Sequence, residues 1–534
     1  MKIQSIHAAI ACLTGMASLY FWSSPSNGAA ALPNLPQALI DTTYLPPAGN
    51  TITVNAGGDF QSALNNASPG DTIVLQAGAT FTGPFTLPDK TAGSGWIYIR
   101  SGNYAKLPAP GNRVKPADAA NMPKIVVGAG NGSAIQTATK AHHYRFIGIE
   151  VTPVTGKFVY ALATIGNKET SPAALPHDIT FDRCYIHGDP TVGGRRGVAM
   201  DGISVAVVDS YVSDFKEVGA DTQALWAYNS PGPFKIANNY LEAAGENVMF
   251  GGADPKIADL VPSDIEIRHN HFFKPLAWMG SAWSVKNLLE FKNAQRVLVD
   301  GNRFENNWPK AQNGFSILVT PRNQGGTAPW SIVQDITFRF NMLVNLAQGF
   351  NLAGHDSEHP SQNSHRFLIQ NNLIAVTGLG GGAGRILQIL GGVTDLTIDH
   401  NTGFGTGTFA FTESNPPSDQ VDITNNIVTR GAYGFTGSGT GEGNATLSKY
   451  YTNWIFSNNA IIGAKTNGYP LGNYFPTDTS AVGFVNYAGG DYHLSVSSPY
   501  KRAGTDGNEL GADISAIAKA GFGVAMSGSA TGGN

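Results

Sequence analysis

A short alternating strand that closes on asparagine recurs through this chain, and few folds accommodate such a repeat. Residues 265–272 read Ile-Glu-Ile-Arg-His-Asn-His-Phe, residues 367–374 read Phe-Leu-Ile-Gln-Asn-Asn-Leu-Ile, and residues 421–428 read Val-Asp-Ile-Thr-Asn-Asn-Ile-Val. The asparagines fall at 239, 270, 302, 341, 372, 401, 426 and 459, between 25 and 39 residues apart. Periods of about 20–50 residues mark solenoids, propellers or arrays. Alternation places the apolar residues of each copy on one face. A polar corner then turns the chain so that the next apolar pair also faces inward. Asparagine tolerates the left-handed backbone of such a corner, and stacked amides can bond from rung to rung.

Other repeat architectures fit less well. A propeller blade takes about four strands per repeat and a Trp-Asp type signature, and a leucine-rich repeat has denser leucine. The composition agrees with many short strands and tight turns: 65 glycines, and only 13 % charged residues in 534. The expected fold is all-β, a single-stranded right-handed parallel β-helix of about ten or more rungs, with an N-terminal helical cap. Residues 59–67 supply that cap as a short amphipathic helix. The spacing resembles the right-handed parallel β-helix repeats of the pectate-lyase-like superfamily over roughly residues 50–500. That likeness bears on the fold, because the architecture hosts several chemistries.

The ends divide as follows. Lys2 and His7 precede an apolar run over residues 8–22 and a small-residue stretch over 23–31, so residues 1–31 read as a signal peptide cleaved after Ala30 or Ala31. The expected location is periplasmic or extracellular. Residues 32–50 read as a linker, 51–510 as the β-helix with its cap, and 511–534 as a partly disordered C-terminal tail. Removal of Cys12 leaves Cys184 alone, in an apolar segment, as a buried thiol. A net charge of −4 gives no reason to expect nucleic acid. No later segment is apolar enough to span a membrane, and a monomer is expected.

Insertions mark the functional side of a solenoid. The longest connections, 241–265, 272–297 and 304–336, are consecutive. Four of the eight tryptophans fall there, Trp278, Trp283, Trp308 and Trp330, and Trp226 lies just before them. Their rings could pack the loops or offer flat apolar surface to sugars; Trp278, Trp283, Trp308 and Trp330 are the expected sugar-binding residues. Four polar groups stand out: Glu246 with Asn247, Lys286 with Asn287, Glu290 with Lys292, and Arg322. Glu290 and Lys292 are two apart in an apolar strand and should point outward together, either as a surface ion pair or as part of a site.

β-Elimination from a uronate takes a base for the C5 proton, positive charge beside the carboxylate, and an acid for the leaving oxygen. A lysine near other cations can serve as base, and calcium held by carboxylate and amide oxygens can neutralise the uronate. The stretch 245–324 resembles the alginate lyase and chondroitinase B family of β-helical polysaccharide lyases, through Gly245-Glu246, Lys292, Asn302-Arg-Phe304 and Arg322. That resemblance implies a lyase with Lys292 and Arg322 catalytic, and Glu246, Asn247 and Glu290 directed at a calcium ion or the substrate carboxylate. It departs at Val285 and Asn287, where the family carries metal-binding acids. Two rivals remain open: a glycoside hydrolase on the same fold, although the four polygalacturonase motifs are absent, and a non-catalytic carbohydrate-binding surface protein. His142-His143 reads as a poor chelate, because adjacent strand residues point to opposite faces. His269 and His271 read as packing residues.

Overall fold

A computed structural model describes residues 28–128, 132–166 and 168–524. The expected signal segment lies, apart from residues 28–31, outside them. The described chain winds as a right-handed parallel β-helix. Its rungs stack into three parallel sheets of 14, 13 and 12 strands. The first sheet runs from Thr51–Val54 to Tyr451–Ser457, the second from Thr80–Thr82 to Ala460–Ile462, and the third from Phe85–Leu87 to Phe435–Gly437. At about 4.8 Å per rung, the first sheet spans about 60 Å. Stacked apolar columns fill the interior, such as Ile265, Val297, Ile336, Phe367, Leu396 and Val421 in register.

The asparagine ladder forms at the corner between the first and second sheets. Each Nδ2 from Asn239 to Asn426 donates to the Oδ1 of the next asparagine, through Asn270, Asn302, Asn341, Asn372, Asn401, Asn426 and Asn459, at 2.9–3.0 Å. The same Oδ1 atoms accept from the preceding rung's backbone N–H, as Asn341 does from Asn302 at 2.9 Å. The left-handed residue of this corner is not the ladder asparagine but its predecessor: Asn238, His269, Gly301, Phe340, Asn371, His400, Asn425 and Asn458 have φ between 49° and 67°. The asparagine turns its amide into the stack because the residue before it makes the turn.

Both ends of the described chain lie back along the solenoid. The helix Phe60–Asn66, capped by Asp59, closes the first rung. Residues 30–43, expected as signal and linker, form an extended strap across the outside of the first sheet. Backbone N–H groups of Ala31, Asn34 and Gln37 donate to Asp395, Asp335 and Asp264 at 2.8–2.9 Å. Arg145 binds the carbonyls of Thr42 and Thr43 at the far end. Three extended residues rise about 10 Å, which matches two rungs. The three aspartates belong to a second left-handed column, with φ of 52°, 56° and 57°.

At the other end, the tail expected to be partly disordered is described through residue 524. Its helix Ile514–Ala520 is capped by Asp513, Ile517 is buried, and Asp513 N–H bonds Asn371. Residues 525–534 lie outside the described residues. Cys184 is fully buried, and burial pushes its thiol up to about 12. Among the described residues no helix is long and apolar enough to cross a membrane.

Candidate functional site

Four consecutive strands of the third sheet, Glu246–Phe250, Asn287–Phe291, Phe315–Val319 and Gln348–Ala353, form the floor of a cleft. Val248, Leu289, Ile317 and Phe350 point into the core. Met249, Glu290, Leu318 and Asn351 are in register on the outer face. The loops that follow these strands rise around a space of about 710 Å³, lined by Lys286, Lys292, Arg322, His355, Asp356 and Glu413 among others. The insertions therefore do gather on one side.

Lys292 and Arg322 both line this cleft, and Arg322 N–H donates to the Lys292 carbonyl at 2.8 Å. Lys292 Nζ lies 2.9 Å from Glu290 Oε1. This pair does project from one face, as the strand spacing implied, but it is no surface pair: Glu290 is 0 % exposed and the lysine side chain 19 %. The covering loops remove the carboxylate from solvent. Arg322 forks between Asp356 Oδ1 at 2.8 Å and Glu358 Oε2 at 2.7 Å. Burial opposes its charge, but Glu358 and Asp356 outweigh it and hold its pKa above the ordinary arginine value.

Glu246 lies beneath the cleft, 0 % exposed. Its Oε2 accepts from Gln223 at 2.7 Å, and its Oε1 faces Lys286 Nζ at 3.5 Å. Burial, then the charges of Glu290 and Asp221, push its carboxyl up to about 7, against Lys286 and Gln223. Lys286 also meets Asp221 at 2.5 Å, and these acids hold its pKa above the usual lysine value despite burial. Asp221, Lys286 and Glu246, and beside them Glu290 and Lys292, thus form a chain of paired acids and lysines at one end of the cleft.

Asn247 does not join this array. It turns inward, where its amide bonds the carbonyls of Leu241 and Phe273 and its Oδ1 accepts from Lys274. Lys274 is fully buried and also donates to the carbonyls of Ala243, Ala244 and Gly245 at 2.6–2.9 Å. Burial depresses its pKa to about 7.

The tryptophans are also placed differently from the expected sugar platform. Trp278 and Trp308 are buried, and Trp283 packs against them with Val285 and Ala244. Lys216 Nζ sits 5.1 Å from the Trp278 ring centre and 5.8 Å from that of Trp283. Trp330 is half-buried and bonds the Leu260 carbonyl. None of the four lines the cleft. Trp226 has the cleft residue Met249 as its strand partner and stacks on Tyr228 with ring centres 4.7 Å apart.

His355, Asp356, Asn351 and Glu413 were not singled out from sequence. His355 and Asp356 sit in an insertion without apolar period, where the run His-Asp-Ser-Glu-His at 355–359 is the only available signal. The His355 Nδ1 lies 2.6 Å from the Gly391 carbonyl, which fixes Nδ1 as donor and leaves Nε2 as the ring atom that can exchange a proton.

Three buried oxygens here have no hydrogen bond: Glu246 Oε1, Asn287 Oδ1 and Glu290 Oε1. Such oxygens suit calcium, but both carboxylate oxygens already face lysine ammonium groups. Among the described residues, no three acidic or histidine ligand atoms at the cleft lie within 4.8 Å of one another. This donor set fits lysine counter-ions and does not fit a calcium ion.

No protein-family model matches the sequence, and no curated protein matches it. Solved structures that resemble it include an alginate lyase from Paenibacillus sp. str. FPU-7, 14 % identical over 76 % of this chain and 99 % of that one, with a TM-score of 0.29. The PL6 family alginate lyase AlyGC is 13 % identical over 86 % of this chain and 58 % of its own, with a TM-score of 0.43. The catalytic unit of a GH87 α-1,3-glucanase from Streptomyces thermodiastaticus strain HF3-3 is 12 % identical over 83 % and 72 %, with a TM-score of 0.42. These structural neighbours are polysaccharide lyases and glycoside hydrolases, and identity at this level speaks to the fold alone.

Proposed function

We propose that this chain is an exported enzyme that cleaves a uronate-containing polysaccharide by β-elimination. The observation that carries the reading is the convergence of Lys286, Lys292 and Arg322 on one open cleft of a weakly acidic chain. A polyanion finds no general attraction on a chain of net charge −4, so local cations must hold it.

In this reading Arg322 and Lys286 neutralise the uronate carboxylate, which makes the C5 proton more acidic. Lys292 first passes its ammonium proton to Glu290, 2.9 Å away, and then takes the C5 proton as the free amine. The C5–H electron pair becomes the C4–C5 double bond, and the C4–O bond breaks. The leaving oxygen takes a proton from an acid in the cleft, and protonated His355 is placed for that part. Substrate binding would displace Glu290 from Lys292 or share it, so the pair is a resting arrangement. No calcium enters this sequence of events.

The hydrolase reading has one specific support: Asp221, Asp356 and Glu413 line the same cleft, and hydrolysis takes two opposed carboxylates. Mass spectrometry of products from alginate, pectate, chondroitin and dermatan separates the readings. Elimination leaves an unsaturated non-reducing end, one water lighter than the hydrolytic product. Saturated products overturn the lyase; retention of a polymer without cleavage leaves a binding protein.

A further inference from the structure

A second cluster of ionisable groups lies near the N-terminal end of the solenoid, on the first sheet and away from the cleft. Two successive strands, His142–Ile147 and His177–Asp182, begin with His142-His143 and His177-Asp178. His142 pairs with His177 in the sheet, and their rings stack with centres 4.7 Å apart. Strict alternation would send His143 and Asp178 to the opposite face. Both instead adopt left-handed backbone, with φ of 58° and 55°. That turn brings each back beside its neighbour, so the poor chelate expected from sequence becomes a close one. His142 Nδ1 and His143 Nδ1 are 2.8 Å apart. His177 Nδ1 lies 2.7 Å from Asp178 Oδ2, and His143 Nδ1 lies 3.9 Å from the same oxygen.

The positions are those of the second left-handed column. Farther along the solenoid that column carries Asp–Arg pairs, Asp264 with Arg296 and Asp335 with Arg366, which the strap engages. Here it carries imidazole and carboxylate. Among the described residues this is the one group of three such side chains whose ligand atoms all lie within 4.8 Å of one another. Its side chains are about one-third exposed, at 35 %, 37 % and 32 % for His143, His177 and Asp178, so an ion can enter. An outer contact is present as well: His142 Nε2 lies 3.0 Å from the Lys90 carbonyl, which makes Nε2 the donor and leaves Nδ1 with its lone pair toward the cluster.

We propose that His143, His177 and Asp178, with His142 beside them, bind a divalent cation of borderline softness, zinc being the type. Two imidazole nitrogens and one carboxylate oxygen, with a further imidazole or water in the fourth position, form an ordinary zinc set. Hard oxygen-seeking ions such as calcium are disfavoured by the nitrogen donors. The bound ion would tie two rungs together across the strand starts.

The test is calorimetric titration of the metal-free full chain with zinc chloride, followed by cobalt substitution and a visible absorption spectrum. The expected result is one site of micromolar or tighter affinity, with cobalt bands of low-coordinate type. His177→Gln and Asp178→Asn each weaken binding by about tenfold or more, since loss of an outer-shell partner alone costs about 10–100-fold. Asparagine tolerates the left-handed position, so Asp178→Asn decides the matter if His177→Gln fails to fold by circular dichroism. No zinc uptake by the parent chain, or Asp178→Asn binding as the parent does, overturns the proposal.

Discussion

The backbone N–H of Arg322 donates to the carbonyl of Lys292 at 2.8 Å, which fixes a guanidinium and an ammonium on the same wall of one cleft. The contact joins the end of one strand to the loop of the next rung, so the distance between the two cations depends on the solenoid's own stacking. The guanidinium is steadied further by Asp356 and Glu358.

Arg322→Lys keeps the charge and loses the fork to Asp356 and Glu358. An ammonium cannot reproduce planar two-point recognition of carboxylates. The expected result in steady-state kinetics on a cleaved polyuronate is a KM raised about tenfold, the loss of about 1.4 kcal/mol, with the circular dichroism spectrum unchanged. An unchanged KM would separate Arg322 from the substrate.

Buried acids set a pH dependence of stability. Burial raises Glu246 and Glu242 to about 7 and Asp201 to about 6, from 4.5, 4.5 and 3.8. The folded chain therefore holds protons that the unfolded chain has released in between, and stability falls as pH rises from about 4 to about 7. Urea midpoints should decrease over that window and rise again above about 7, where the unfolded chain keeps the Lys274 proton that the folded chain has released. Glu246→Gln removes one of the three groups and should flatten the slope; a slope identical to the parent would contradict the assignment.

Asn341 occupies the middle of the ladder, where its Oδ1 accepts from the backbone N–H and the amide of Asn302 and its Nδ2 donates to Asn372. Asn341→Ala strands buried polar groups on both adjoining rungs. Each costs about 1–3 kcal/mol, and equilibrium urea unfolding should show a matching loss. An unchanged midpoint would mean that apolar stacking alone holds the corner.

Deleting residues 28–43 uncovers Asp264, Asp335 and Asp395 and frees Arg145 from the strap carbonyls. The expected effect is a lower urea midpoint and earlier proteolysis of the first sheet. A midpoint equal to the parent's would show the strap to be a passenger.

The solenoid was legible because every rung repeats the same request: apolar residues inward, an amide at the corner. Even there the left-handed turn falls one residue earlier than asparagine's own preference suggests, at positions as unlikely by type as Phe340. The site was legible only in part. Lys292 and Arg322 stood out as charges in an apolar strand and a long loop, and they do share a cleft. Asn247 turns inward, where Lys274 donates to its oxygen, and no neighbouring residue in the sequence marks that orientation. Trp278 and Trp308 take the loop-packing alternative that the sequence left open, because a loop's apolar ring packs its own loop as readily as it meets a ligand. The strap left almost no trace, since it binds through backbone N–H groups that carry no residue code. The histidine cluster was missed because alternation fails where His143 and Asp178 turn left-handed.

Lys292 is where the functional account stands or falls. Ultraviolet absorbance of the new C4–C5 double bond, followed with the parent chain and with Lys292→Ala on the same panel of polyuronates, measures elimination directly. The account predicts a rise with the parent on at least one polymer, with and without calcium, and a rate lower by about a hundredfold or more in Lys292→Ala. No rise with the parent on any polyuronate, or an equal rise with the variant, would contradict it.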